Sequence, residues 1–178
     1  MDTATLVRIR PARESDLPAL EWDGAYRHYR RVYRQTFDDV RKGRRLMLLA
    51  EADQTVIGQV FVQLQEGSDW LGAGGKRGYV YAFRVKPEWR RRGIGQQLMA
   101  AAEAELLRRG FVKAVIAVAQ SNSGARRLYE RLGYDVYAED AGIWHYVDAD
   151  GVQRRVEEPS WLMEKRLNPA PPAAPSPP

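Results

Sequence analysis

The chain has 178 residues, 44% of them hydrophobic, which is the size of one domain and enough apolar side chain for a sizeable core. It has no cysteine, which excludes disulfide staples, thiolate nucleophiles and cysteine zinc sites, and its two histidines, His28 and His145, are too few for a histidine-rich site, so no metal is expected. A net charge of +5 favours anionic partners; arginines are spread along the whole chain, which ranks nucleic acid behind a phosphorylated small molecule, and the one tight cluster, Arg90-Arg91-Arg92, abuts a glycine pair.

The opening Met1-Asp2-Thr3-Ala4-Thr5-Leu6 has no basic stretch followed by an apolar run. No later stretch approaches the ~18 uninterrupted apolar residues of a membrane span, so a cytoplasmic protein with no membrane partner is expected. Residues 7 to 10 alternate like a short strand ended by Pro11, and Asp16 and Pro18 suit a helix start. Tyr26, Tyr29, Tyr33, Phe37 and Val40 recur at helical spacing and predict a second amphipathic helix stopping near Gly43. Leu46 to Glu51 and Val56 to Gln65 read as two strands joined by a turn at Ala52-Asp53-Gln54.

Residues 66 to 78 are glycine-rich. They fail as a nucleotide P-loop, because Trp70 and Arg77 stand where glycine and Ser or Thr are required, and read as a hairpin connection. Tyr79 to Val85 is an aromatic and β-branched run that predicts a buried strand. A long helix follows, with Ile94, Leu98, Ala101, Ala102 and Leu106 along one side and Arg108-Arg109-Gly110 at its end. Phe111 to Ala119 predicts another strand, and Ser121-Asn122-Ser123 opens a short helix carrying Ala125, Leu128, Tyr129 and Leu132 up to Gly133. Tyr134 to Val147 and Val152 to Leu167 predict one hairpin about the turn Asp148-Ala149-Asp150-Gly151. One domain is expected over residues 1–167, with residues 168–178 a disordered or polyproline-like tail. The fold class is α/β or α+β, with a mixed sheet of six to seven strands flanked by about four helices.

One junction carries chemistry. The strand ending at Val85, the turn through Pro87-Glu88-Trp89 and the helix from Gly93 bring unpaired main-chain N–H groups to one point, where the helix dipole adds positive charge. Glycines 93 and 95 leave room for a pyrophosphate, and arginines 90 to 92 supply planar donors.

Here the sequence resembles the Gcn5-related N-acetyltransferase (GNAT) superfamily. The family's motif of Gln or Arg, two residues, Gly, one residue, Gly or Ala stands as Arg90-Arg91-Arg92-Gly93-Ile94-Gly95. A second signature stands as Asn122, Ala125, Leu128-Tyr129 and Gly133-Tyr134. Motif-level matching is confined to residues 79 to 134, while strand and helix order agree to about Leu167. The resemblance implies a GNAT-type fold in which two neighbouring parallel strands splay apart and acetyl-CoA lies between them as co-substrate. It implies that backbone groups of Phe83 and Val85 pair with the pantetheine arm, with Arg84 between them among the cofactor-binding residues, and that the amides of Arg91, Arg92, Gly93, Ile94, Gly95 and Gln96 hold the pyrophosphate, with Arg90 also binding the cofactor. It implies that Asn122 and Ala125 touch the cofactor and that Tyr129 points its hydroxyl at the thioester sulfur.

The function implied is N-acetylation of a primary amine, on a small molecule or a protein, by direct attack, with Tyr129 as general acid. Tyr129 also continues the apolar stripe of its helix, which is the competing reading. Neither 79–85 nor 115–118 contains a carboxylate, so no base is assigned; Asp38, Glu66 and Asp69 are the weak candidates. Trp22, Tyr26, Tyr29 and Tyr33, with Tyr137, Trp144, His145 and Tyr146, form either an aromatic wall able to stack on a cation or flat acceptor, or simply core. A non-catalytic acyl-CoA sensor on the same scaffold is the alternative, and the resemblance leaves a homodimer open.

Overall fold

The computed structural model describes residues 6–65 and 76–168. Residues 66–75 of the glycine-rich connection, with Glu66 and Asp69, and the proline-rich tail from residue 169 lie outside the described residues, while Arg77 and Gly78, expected in that connection, are paired strand residues of β4. The strands are β1 (Val7–Pro11), β2 (Arg45–Ala52), β3 (Thr55–Gln65), β4 (Arg77–Val85), β5 (Lys113–Ala119), β6 (Asp135–Asp140), β7 (Ile143–Val147), β8 (Gln153–Glu157) and β9 (Ser160–Arg166). The helices are α1 (Arg30–Arg41), α2 (Ile94–Arg108) and α3 (Ser123–Arg131), with 3₁₀ segments at Glu14–Glu21, Arg27–Tyr29 and Pro87–Trp89.

Seven strands form one mixed sheet in the order β1-β2-β3-β4-β5-β9-β6, and β7 and β8 pair as a separate ribbon. All neighbours in the large sheet are antiparallel except β4 and β5, which α2 connects by a crossover. One face is covered by α2, whose Leu98, Met99, Ala102 and Leu106 pack on Ile57, Val60, Val80 and Ile116. The other is covered by the 3₁₀ segment and α1, whose Leu17, Leu20, Tyr33 and Phe37 pack on Met47, Leu49 and Phe61.

Three expectations are corrected. The first predicted helix is 3₁₀ throughout Glu14–Glu21, since Pro18 inside it has no N–H to give to an α-helical carbonyl. The second starts as α-helix only at Arg30, after a 3₁₀ turn at Arg27–Tyr29. The carboxy-terminal hairpin is broken into two paired pieces, β6 with β9 in the sheet and β7 with β8 outside it. The break lies at Gly142 and Pro159. Gly142 has φ +64, and a Cβ there would stand 1.8 Å from the Glu158 carbonyl oxygen, while Pro159 has no donor for a ladder. The ribbon's turn is held by Asp148, whose Oδ1 accepts from the N–H groups of Asp150 (3.0 Å) and Val152 (2.9 Å). Trp144 and Tyr146 are thereby carried against α1 and the turn before it.

Candidate active site

The parallel pairing of β4 with β5 runs from Arg77↔Lys113 to Val80↔Ile116 and stops, although β4 continues to Val85 and β5 to Ala119. From Tyr81 onward the β5-facing edge of β4 therefore has no partner strand among the described residues. The opposite edge stays paired with β3, through Gln59↔Arg84 and Gly58↔Val85, so the strand is held firmly on one side and open on the other.

Within the open stretch β4 is bulged. Its register with β3 shifts between Gln59↔Arg84 and Phe61↔Tyr81, and Ala82 takes φ +48. Strict alternation would put Arg84 on the same face as Val80. The extra residue instead places Tyr81 and Ala82 together on the α1 face, sends Phe83 and Val85 to the α2 face, and turns Arg84 to α1. Gln59, fully buried, holds the bulge: its Nε2 donates to the Ala82 carbonyl (3.2 Å), and its Oε1 is without a hydrogen-bond partner among the described residues. Sequence reading identified neither residue. The one available signal was a glutamine in the middle of the apolar run of β3.

At the end of β4 the chain turns into α2. Gly93 caps the helix with φ +76 and Arg91 takes φ +60, a succession of conformations that points main-chain N–H groups outward. The first intrahelical bond is Gln97 N–H to the Gly93 carbonyl (3.0 Å), which leaves the amides of Ile94, Gly95 and Gln96 as the helix's free donors. A Cβ at residue 93 would meet nothing within 4 Å, so this face is open. At residue 95 it would stand 2.9 Å from Cζ of Phe83, so the second glycine makes room for the protein's own ring. Ile94 is 2% exposed and anchors the turn in the core, and Gln96 is exposed.

The three arginines have different surroundings. Arg90 Nε donates to the Val85 carbonyl (3.0 Å), so its side chain closes the end of β4 and takes up an acceptor assigned above to the pantetheine arm. The Arg92 guanidinium lies 5.0 Å from the centre of the Trp89 ring, and Arg91 is exposed.

On α3, Asn122 caps the helix: its Oδ1 accepts from Ala125 N–H (3.1 Å), and Ala125 is half-buried against the core. Two turns later Tyr129 is 5% exposed, with its ring 6.1 Å from that of Phe83 and 6.2 Å from that of Tyr134. Burial, helped by the Tyr79 phenol nearby, pushes the Tyr129 hydroxyl well above its usual range, so it is protonated at neutral pH. The structure thus brings Phe83, Gly95 and Tyr129 together beside the open edge of β4.

The aromatic groups from the two ends of the chain meet on the α1 face. Tyr29 lies 5.0 Å from Tyr146 and 6.1 Å from Trp144, and Trp22, Tyr26 and Tyr33 continue the wall. His28 joins it, 4.1 Å from Tyr29. Tyr137 lies elsewhere, beside Arg77, and His145 is exposed on β7 between Trp144 and Tyr146. The wall holds a cation, and that cation is Arg84, 3.9 Å from the centre of the Tyr26 ring and donating from Nη2 to the Tyr33 hydroxyl (3.0 Å). Of the weak base candidates, Asp38 is half-buried on α1, and the other two lie outside the described residues. A carboxylate that sequence reading did not single out, Glu158, acts electrostatically on Tyr29.

Among the described residues no helix is long and apolar enough to cross a membrane. Solved structures that the chain resembles include complexes with coenzyme A or acetyl-CoA. The coenzyme A complex of PaiA N-acetyltransferase from Thermoplasma acidophilum matches with TM-score 0.64 and 20% identity, over 90% of this chain and 99% of that one. Arabidopsis thaliana NAA60 in complex with acetyl-CoA matches with TM-score 0.68 and 20% identity, over 92% and 100%. The ribosomal-protein-S18-alanine N-acetyltransferase from Escherichia coli matches with TM-score 0.64 and 22% identity, over 95% and 99%. At such identities the likeness is one of fold. In sequence, residues 10–134, well over half of the chain, match the acetyltransferase (GNAT) family, and the chain belongs to that family.

Proposed function

We propose that the chain transfers an acetyl group from acetyl-CoA to a primary amine by direct attack in a ternary complex. The observation that carries this reading is the divergence of β4 and β5 beyond Val80 and Ile116, with the open N-terminus of α2 at its mouth. An extended amide-bearing arm fits such a gap because one strand edge offers main-chain groups to pair with, and a diphosphate fits the helix end because free N–H groups and the dipole converge there. The fit to structures that hold coenzyme A or acetyl-CoA supports it.

When bound, acetyl-CoA supplies a thioester, whose acyl carbon is open to attack and whose thiol leaving group has pKa ~8.5. The amides of residues 91–96 hold the diphosphate, with Arg91 and Arg92 adding charge; Arg90 acts mainly by closing β4. Phe83 and Val85 offer their open main-chain edge, and Asn122, its Oδ1 committed to Ala125, has its amide N–H groups to give. Tyr129 is the general acid. Its phenol, at ~10 or above, is a weaker acid than the departing thiol, so proton delivery is uphill by ~2 kcal/mol or more and the hydrogen bond to developing negative charge comes first. An attacking amine of pKa ~10.4 must lose a proton, which costs about 4 to 5 kcal/mol at pH 7, and with no carboxylate on 81–85 or 117–119 that proton leaves through water.

The same lack of a carboxylate favours a second reading, an acyl-CoA sensor. Calorimetry with acetyl-CoA at low ionic strength, followed by an amine panel read by thiol release and by mass gain of one acetyl group, separates the two. Binding with turnover is expected; binding without turnover on any amine means a sensor, and no binding removes both.

A further inference from the structure

We infer that Arg84 recognises the acceptor and that the acceptor carries a carboxylate close to its amine, as a free amino acid does. This rests on the transferase reading and adds a substrate class to it.

Six arginines among the described residues are not exposed: Arg10, Arg45, Arg77, Arg84, Arg109 and Arg126. Five of them form an ion pair with a carboxylate, namely Asp16, Asp39, Glu164, Glu105 and Glu130 respectively. Arg84 is the exception: its hydrogen bond goes to a neutral phenol, Tyr33, and one planar face is covered by Tyr26 at 3.9 Å. A guanidinium carries five donors in a fixed fork, and Tyr33 takes one of them. A half-buried cation with no counter-charge is unfavourable unless something else supplies the charge, and a fork with its face stacked and its edge free is the geometry that takes a carboxylate through two parallel bonds.

The placement of this cation is built in. The bulge at Ala82 turns residue 84 to the α1 face, and Gln59 holds the bulge. Arg84 stands between Phe83 and Val85 on the strand that borders the gap, with its side chain on the α1 face, so an acceptor held by its fork would approach the thioester from the α1 side of the gap. The side away from the core is the aromatic wall, where Trp144 is 40% exposed and gives access from solvent. Glu158 acts on Tyr29 but makes no ion pair with Arg84. A fixed positive charge here also works against polycationic acceptors such as polyamines and aminoglycosides.

The test compares free L-amino acids of varied side chain with their carboxamides, which keep the amine and lose the negative charge, and with spermidine. The wild-type protein is expected to use acids at least tenfold better than amides in kcat/KM and to leave spermidine unmodified. Arg84→Met is expected to bring acids and amides within about threefold of each other while its calorimetric affinity for acetyl-CoA is unchanged; Arg84→Lys, which keeps charge without the fork, should fall between. Tryptophan fluorescence, with Trp144 in the wall, gives an equilibrium reading that needs no turnover: acids should saturate at least tenfold more tightly than amides. Equal use and equal binding of acids and amides by the wild type, or discrimination surviving in Arg84→Met, overturns the inference and leaves the transferase reading standing. Absence of transfer to every amine overturns the transferase reading, and the fluorescence titration still decides for or against the carboxylate site.

Discussion

Gly95 on the first turn of α2 and Phe83 on β4 are fitted to one another, with 2.9 Å between the ring's Cζ and the place a Cβ on residue 95 would occupy. The same ring lies 6.1 Å from that of Tyr129. A methyl group at 95 therefore displaces the ring that packs beside the proposed acid. Gly95→Ala is expected to lower stability by about 1 to 3 kcal/mol, the usual cost of overpacking, and to lower kcat as well. Denaturant titration with steady-state kinetics checks it; an unchanged unfolding midpoint would show that the ring yields freely.

Gly93 should behave in the opposite way. Nothing lies within 4 Å of a Cβ there, but φ is +76, so a β-branched side chain costs about 1 to 2 kcal/mol in backbone strain and stands on the open face of the helix end. Gly93→Val is expected to lose at least tenfold in acetyl-CoA affinity by calorimetry at a modest cost in stability. A variant that binds as tightly as the wild type would remove this face from the binding site.

Tyr129 is protonated well past neutrality because burial penalises the phenolate. An acid must hold its proton to act, so activity dependent on Tyr129 should not decline on the alkaline side until above about pH 10. Tyr129→Phe is expected to reduce kcat by roughly 10²-fold with acetyl-CoA affinity within about twofold. Equal turnover of the two proteins would return Tyr129 to a purely packing role.

The Ala82 bulge links stability to the position of Arg84. An alanine at φ +48 is strained by about 1 to 2 kcal/mol, which glycine relieves, partly offset by its greater freedom when unfolded. Ala82→Gly should thus leave stability within about 1 kcal/mol of the wild type. Ala82→Val, β-branched in the same conformation, should cost about 1 to 3 kcal/mol and weaken the setting of Arg84 in its aromatic wall. Thermal unfolding of the pair checks it, and Val tolerated as well as Gly would mean that the bulge is not rigid.

The junction of strand, turn, glycine and helix from Tyr79 to Leu106 was legible because it is a local object, contiguous in sequence, whose open helix end follows from helix geometry. The hydrophobic periods located seven strands of the sheet for a related reason, since each period reports its own burial. The bulge was not legible, because Tyr81, Ala82 and Phe83 are ordinary strand residues and the extra residue is set by pairing with β3. For the same reason strict alternation would have put the Arg84 side chain on the α2 face, where the bulge turns it to α1. The split hairpin had its signals, Gly142 and Pro159, but they lie 17 residues apart in sequence and act together only across the paired strands.

A last prediction concerns Asp16, which accepts from Arg10 through both oxygens, at 2.7 and 2.9 Å, and from Arg13 N–H at 2.7 Å. The Arg10 guanidinium, with help from Arg13, holds this carboxyl below its ordinary value of 3.8. Because the folded value lies below the unfolded one, the stability Asp16 contributes is fully present above about pH 4 and is lost as pH falls through the folded value. Arg10 is 7% exposed and retains Glu51 as a partner, so Asp16→Asn should cost about 3 kcal/mol at pH 7, the lower end for breaking a buried pair. The gap between wild type and variant should narrow in urea titrations carried to pH 3 and below. A gap that stays constant with pH would mean that Asp16 acts through its neutral hydrogen bonds and shape, and not through its charge.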